Sequence, residues 1–87
     1  MSDSEGATAT LANLTPGATA IVGAVSATGD ERRRLLDLGF LPGTSVEMVM
    51  RSPLGDPLAF RVRGSVVALR KKQARRIEVR APQTGGP

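Results

Sequence analysis

The sequence contains no cysteine, histidine, tryptophan or tyrosine, and two phenylalanines are its whole aromatic content. Without cysteine, neither a disulfide nor a thiolate-bound metal can reinforce the fold, so packing alone must hold it. Lacking histidine as well, the chain can build no Ser-His or Cys-His nucleophile, no ordinary zinc site and no two-His-one-carboxylate iron site. Long apolar runs are also missing: stretches such as Val66-Val67-Ala68-Leu69 fall far short of the roughly 18 residues that a membrane span needs. The acidic N-terminal stretch lacks the basic-then-apolar layout of a secretory signal, and the expectation is a soluble, cytoplasmic protein.

Acid/base catalysis by carboxylates alone would need a pair in an apolar setting that raises one pKa, and no such pair occurs at helical spacing. No catalytic residue is assigned. What remains is an 87-residue chain, enough for one small domain. Residues 1–10 are acidic and small without hydrophobic periodicity, and residues 81–87 are rich in Pro, Gly and Thr; both are expected to be disordered tails around a domain at 11–80. That domain keeps all 12 basic residues but only six of the eight acidic ones, a formal charge of +6.

Leu11 and Leu14 precede the turn Thr15-Pro16-Gly17, which suits a short lead-in that drops two side chains onto the core. Ala20 to Ser26 reads as a strand, with Gly23 marking a bulge or a close backbone approach. Thr28-x-x-Glu31 matches a capping box and predicts a helix start, with Asp30 as the rival N-cap. Leu35 and Leu38 share the helix face expected to enter the core, while Arg32, Arg33 and Arg34 run around the exposed side and Asp30 can pair with Arg34. The helix stops at Gly39, with Pro42 forbidding continuation.

Thr44 to Arg51 alternates, with Val46, Met48 and Met50 expected on one side, and Leu58, Phe60 and Val62 alternate likewise. The six residues Ser52 to Pro57 join these runs as an antiparallel hairpin. Gly64-Ser65 leads tightly into a strand from Val66 to Arg70, Lys71 to Arg75 allow one turn of helix, and Ile77 and Val79 mark a last short strand. Five short strands with short links predict a mainly β, closed or nearly closed small barrel with one α-helix inserted between the first and second strands.

In order, the elements Leu11-x-x-Leu14-x-x-Gly17, Arg34-Leu35-x-Asp37-Leu38-Gly39-Phe40-x-Pro42-Gly43-Thr44, Ser52-Pro53-Leu54-Gly55-Asp56-Pro57-Leu58, Arg63-Gly64, Ala68-Leu69-Arg70 and Ala74-x-x-Ile77-x-Val79 resemble the FeoA family. The likeness spans the whole predicted domain. It implies an SH3-like barrel with the helix in its first long loop. It also implies an accessory role in bacterial ferrous iron uptake, binding the cytoplasmic GTPase side of the membrane transporter FeoB and tuning Fe²⁺ transport. Membrane contact would then come only through FeoB, at the inner face of the cell membrane. Similar domains end some iron-dependent repressors; with no helix-turn-helix before the barrel, this chain looks like the free-standing form rather than a metal-sensing repressor domain.

Candidate partner-binding residues are Arg32, Arg33 and Arg34 on the helix and Leu54 and Asp56 on the hairpin turn. The arginines either dock on an acidic patch or on anionic lipid head groups, or simply form a solvated helix face. Leu38, Gly39, Phe40, Pro42, Gly43, Pro53, Pro57 and Gly64 are read chiefly as structural, capping the helix and shaping turns, with binding at these loops as the alternative. The run Arg70-Lys71-Lys72 with Arg75, Arg76 and Arg80 allows a nucleic-acid-binding barrel as the alternative function, although no aromatic side chain interleaves it for stacking. Fe²⁺ would have to use oxygen ligands such as Glu47, Asp56 and Glu78, which are far apart in sequence. No metal site and no cofactor are therefore assigned, and any Fe²⁺ binding is expected to be weak and rests on family analogy.

Overall fold

The computed structural model of the chain describes residues 9–81. The tails expected at the two ends therefore lie largely outside the described residues. Ala9–Thr10 form a two-residue strand, β1, and a 3₁₀ turn follows at Leu11–Asn13. Then come β2 (Thr19–Val25), α1 (Gly29–Leu38), β3 (Ser45–Arg51), β4 (Leu58–Val62), β5 (Ser65–Leu69), α2 (Lys71–Ala74) and β6 (Ile77–Arg80). All six strands belong to one antiparallel sheet in the order β1-β6-β2-β3-β4-β5. The mainly β architecture agrees with the sequence reading, but with six strands in place of five, so that α1 stands between the second and third. The extra strand is too short for any periodicity: Ala9 and Thr10, assigned above to the leading tail, pair with Val79 and Glu78. The two ends of the sheet approach each other, because α2, which follows β5, packs on the 3₁₀ turn that follows β1.

The sheet wraps one apolar core in which Leu11, Val22, Leu35, Phe40, Met48, Leu58, Phe60 and Ile77 are fully buried. Alternation places Leu58, Phe60 and Val62 of β4 inward as expected. Phe40 and Phe60 meet edge to face, with ring centroids 6.4 Å apart and planes at 89°, the arrangement favoured by the aromatic quadrupole.

Three expectations fail for identifiable reasons. Met50 does not continue the inward row of Val46 and Met48. A bulge between Met48 and Met50 inserts Val49 against the β4 ladder, which inverts the alternation and leaves Met50 54% exposed. Leu38 is not core either, being 37% exposed. The chain leaves the helix at Gly39 with φ +114°, and this left-handed turn carries Phe40 inward instead. Finally, Thr28 is the N-cap residue with extended backbone, but its side chain makes no capping hydrogen bond, so the capping box does not form. Gly29, with φ +61°, opens the helix, and Asp30 and Glu31 face the positive end of its dipole. Reciprocal capping instead occurs at the 3₁₀ turn, where Thr10 Oγ1 accepts from the Ala12 N–H at 3.3 Å and Asn13 Oδ1 accepts from the Thr10 N–H at 2.8 Å.

Gly23 marks a bulge, as its position in the β2 run suggested. The register with β6 shifts between Val22 and Ala24, and a Cβ at Gly23 would lie 3.5 Å from the Glu78 carbonyl oxygen.

Candidate functional site

The described residues hold no group of three or more acidic, cysteine or histidine side chains placed to share a metal ion. Glu47, Asp56 and Glu78 lie on β3, the β3–β4 turn and β6 and do not form such a group. Glu47 pairs across the ladder with Arg61 at 3.4 Å, Asp56 accepts a backbone hydrogen bond, and Glu78 sits within β6 between β1 and β2. The features that distinguish this molecule are on its outside, in two regions built from different elements.

The first is α1 and the corner that follows it. Arg32, Arg33 and Arg34 are all exposed. The Asp30–Arg34 pair expected from helical spacing is absent among the ion pairs of the described residues. Among the described residues, no carboxylate pairs with these three guanidinium groups. At the helix end the Gly39 N–H donates to Leu36 O at 3.0 Å and the Phe40 N–H to Leu35 O at 3.2 Å. These two bonds satisfy carbonyls that a helix end leaves free. Leu41 O then accepts from the Thr44 N–H at 2.9 Å, with Pro42 and Gly43 (φ +93°) at the centre of the turn. Proline followed by a glycine of positive φ is the chemistry of a type II turn. This turn delivers the chain into β3, where Val22 N–H reaches Thr44 O and Gly43 N–H reaches Val22 O. Gly39, Pro42 and Gly43 are therefore accounted for by the backbone path.

That same path leaves a shallow groove of mixed polarity, in which Leu36, Leu38 and Leu41 lie beside Asp37, Arg63 and Ser65. Arg63 and Gly64 make the two-residue β4–β5 turn with φ +53° and +82°, the doubly left-handed geometry that suits right-twisted hairpins. Sequence reasoning missed the groove because it assigned Leu38 to the core. The available signal was Phe40, a larger apolar side chain just beyond the helix stop.

The second region is the β3–β4 turn. Gly55 N–H donates to Ser52 O at 2.8 Å, which places Pro53 and Leu54 at the apex, and Ser52 N–H donates to Pro57 O at 3.2 Å across its base. Leu54 is 93% exposed. Asp56 Oδ1 accepts from the Lys71 N–H at 2.9 Å, satisfying one of the free N–H groups at the start of α2. A concave basic surface results, lined by Asp56, Arg70, Lys71, Lys72 and Arg75. The sequence displayed the basic run and the turn separately, but nothing local indicated that they meet. With both phenylalanines buried, they offer no stacking platform to nucleic acid bases.

The FeoA domain family model matches residues 9–81. A fusion of Fe(2+) transport protein A with the Fe(2+) transporter FeoB in Porphyromonas gingivalis is 36% identical over 69 residues, which are 79% of this chain and 8% of that protein. The chain thus spans less than a tenth of that relative's length. A FeoA protein from Stenotrophomonas maltophilia, crystallised with zinc and described as an SH3 domain protein, is 37% identical with a TM-score of 0.73, covering 82% of this chain and 88% of that one. A FeoA-like protein from Clostridium acetobutylicum superposes with a TM-score of 0.79 at 28% identity, covering 92% and 93% of the two chains. The SH3-like architecture that the family resemblance implied accords with the S. maltophilia neighbour, described as an SH3 domain protein.

Proposed function

The chain belongs to the FeoA domain family, and from that premise we propose that it is an accessory protein of ferrous iron uptake that docks on the cytoplasmic GTPase side of FeoB and modulates Fe²⁺ transport. The observation that carries the partner is the P. gingivalis relative, in which a FeoA portion and the transporter share one polypeptide. Covalent fusion holds two modules at high effective concentration, an arrangement that benefits modules which must meet.

The chain's own chemistry fits a docking role. It works through its outer surface, with Fe²⁺ as the transporter's cargo rather than a ligand held here. Arg32, Arg33 and Arg34 stand on α1, and the groove of Leu36, Leu38 and Leu41 begins at the same helix's C-terminal end. Arginines beside partly exposed leucines offer a partner both charge complementarity and apolar surface to cover. Modulation follows from linkage. If the domain binds one nucleotide state of the GTPase more tightly, it must raise that nucleotide's affinity by the same factor.

The deciding experiment is a titration of the chain against the isolated FeoB cytoplasmic domain with GDP, with a GTP analogue and with no nucleotide. Saturable binding whose affinity differs between these states is expected. An absence of binding in all three would overturn the proposal.

A further inference from the structure

Leu54 and the basic turn around α2 share one end of the molecule, although 16 to 21 residues separate them in sequence. Three observations fix this juxtaposition. The Ser52–Gly55 hydrogen bond holds Leu54 at the apex of its turn, where the side chain is 93% exposed. Two residues later, Asp56 is bonded to the backbone of Lys71. Around that contact Arg70, Lys72 and Arg75 are exposed and Lys71 is half-buried. Four cations against one carboxylate leave this end strongly positive.

We propose that this end of the molecule is a membrane-binding face for anionic phospholipid bilayers. Leu54 enters the interfacial layer while Arg70, Lys71, Lys72 and Arg75 lie over the headgroup phosphates. The surface is independent of the α1 face assigned to FeoB, and it departs from the expectation that membrane contact comes through FeoB alone.

The physical case rests on combining two weak signals. One apolar side chain gives marginal membrane affinity, and a few basic residues give an attraction that salt screens, but together they make a usable anchor. A protruding leucine also discriminates between occupants. A protein partner would need a matching pocket for it, whereas an interfacial lipid layer accepts a projecting apolar group without a preformed shape. A nucleic acid would use the cations and leave Leu54 in water, and it would find no phenylalanine to stack on.

Cosedimentation with vesicles tests the face, because no protein partner is present and the result does not depend on FeoB. The chain should bind phosphatidylcholine–phosphatidylglycerol vesicles, bind pure phosphatidylcholine vesicles far less, and lose affinity as salt rises. Leu54→Ser should weaken binding about tenfold. Lys72→Gln with Arg75→Gln should weaken it about thirtyfold, each basic residue contributing about a fivefold factor. The control Arg32→Gln with Arg33→Gln removes equal charge from another face and should cost less than about threefold. Circular dichroism checks that each variant is folded, which the exposure of these side chains makes the expected result. The proposal is overturned if the chain ignores anionic vesicles at low salt, if Leu54→Ser binds as well as wild type, or if the control loses as much as the Lys72/Arg75 pair. Tight binding to single-stranded RNA without vesicle binding would likewise overturn it and reassign the patch to nucleic acid.

Discussion

The Phe40 N–H donates to the Leu35 carbonyl at 3.2 Å, and both side chains are fully buried. One backbone bond thus ends the helix while two apolar side chains on either side of it enter the same core. Leu38, between them in sequence, is left half outside.

From this arrangement follows a contrast between two truncations. Phe40→Ala should cost about 3–5 kcal/mol, as expected for losing a large buried aromatic. Leu38→Ala should cost about 1–2 kcal/mol, because only part of its surface leaves water on folding. Urea denaturation midpoints of the two variants measure the difference, and equal losses would place Leu38 in the core after all.

Gly39 is constrained twice. Its φ of +114° is a conformation that side chains disfavour, and an added Cβ would lie 3.3 Å from Arg63 Cδ and 3.4 Å from Val62 Cγ2. Gly39→Ala is expected to destabilise by about 1–3 kcal/mol, chiefly through backbone strain. A thermal melt reads this directly, and a variant as stable as wild type would contradict the assigned left-handed turn.

The Asp56–Lys71 contact makes a separate prediction. Asp56→Ala leaves the Lys71 N–H without its acceptor and should cost about 1 kcal/mol. Asp56→Asn keeps an oxygen acceptor and should retain most of the stability. Hydrogen exchange at the Lys71 amide reports the bond itself, and protection should fall in the alanine variant alone.

Reversing Arg32, Arg33 and Arg34 to Glu should abolish most capture of the FeoB cytoplasmic domain while the chain stays folded, since all three are exposed. The loss should appear mainly as slower association and a changed salt dependence. Undiminished capture would move the docking site away from α1.

Much of this protein is written in local chemistry. Gly39, Pro42 and Gly43 each limit the backbone within their own few residues, so the helix stop and the turn into β3 could be read directly. The alternation of Leu58, Phe60 and Val62 likewise fixes which face of β4 is wet. The arginine run, the exposed turn and the likeness to the FeoA family needed no coordinates either. What sequence could not decide involves partners distant along the chain. Ala9 and Thr10 become a strand only because β6 is there to pair with them. Met50 faces water because the β3 ladder slips by one residue against β4. Asp56 brings Leu54 to the basic turn through a bond to a residue 15 positions away. Periodicity reports the preferences of a segment, whereas register, bulges and the competition between Leu38 and Phe40 for one place in the core are settled only when the segments pack together.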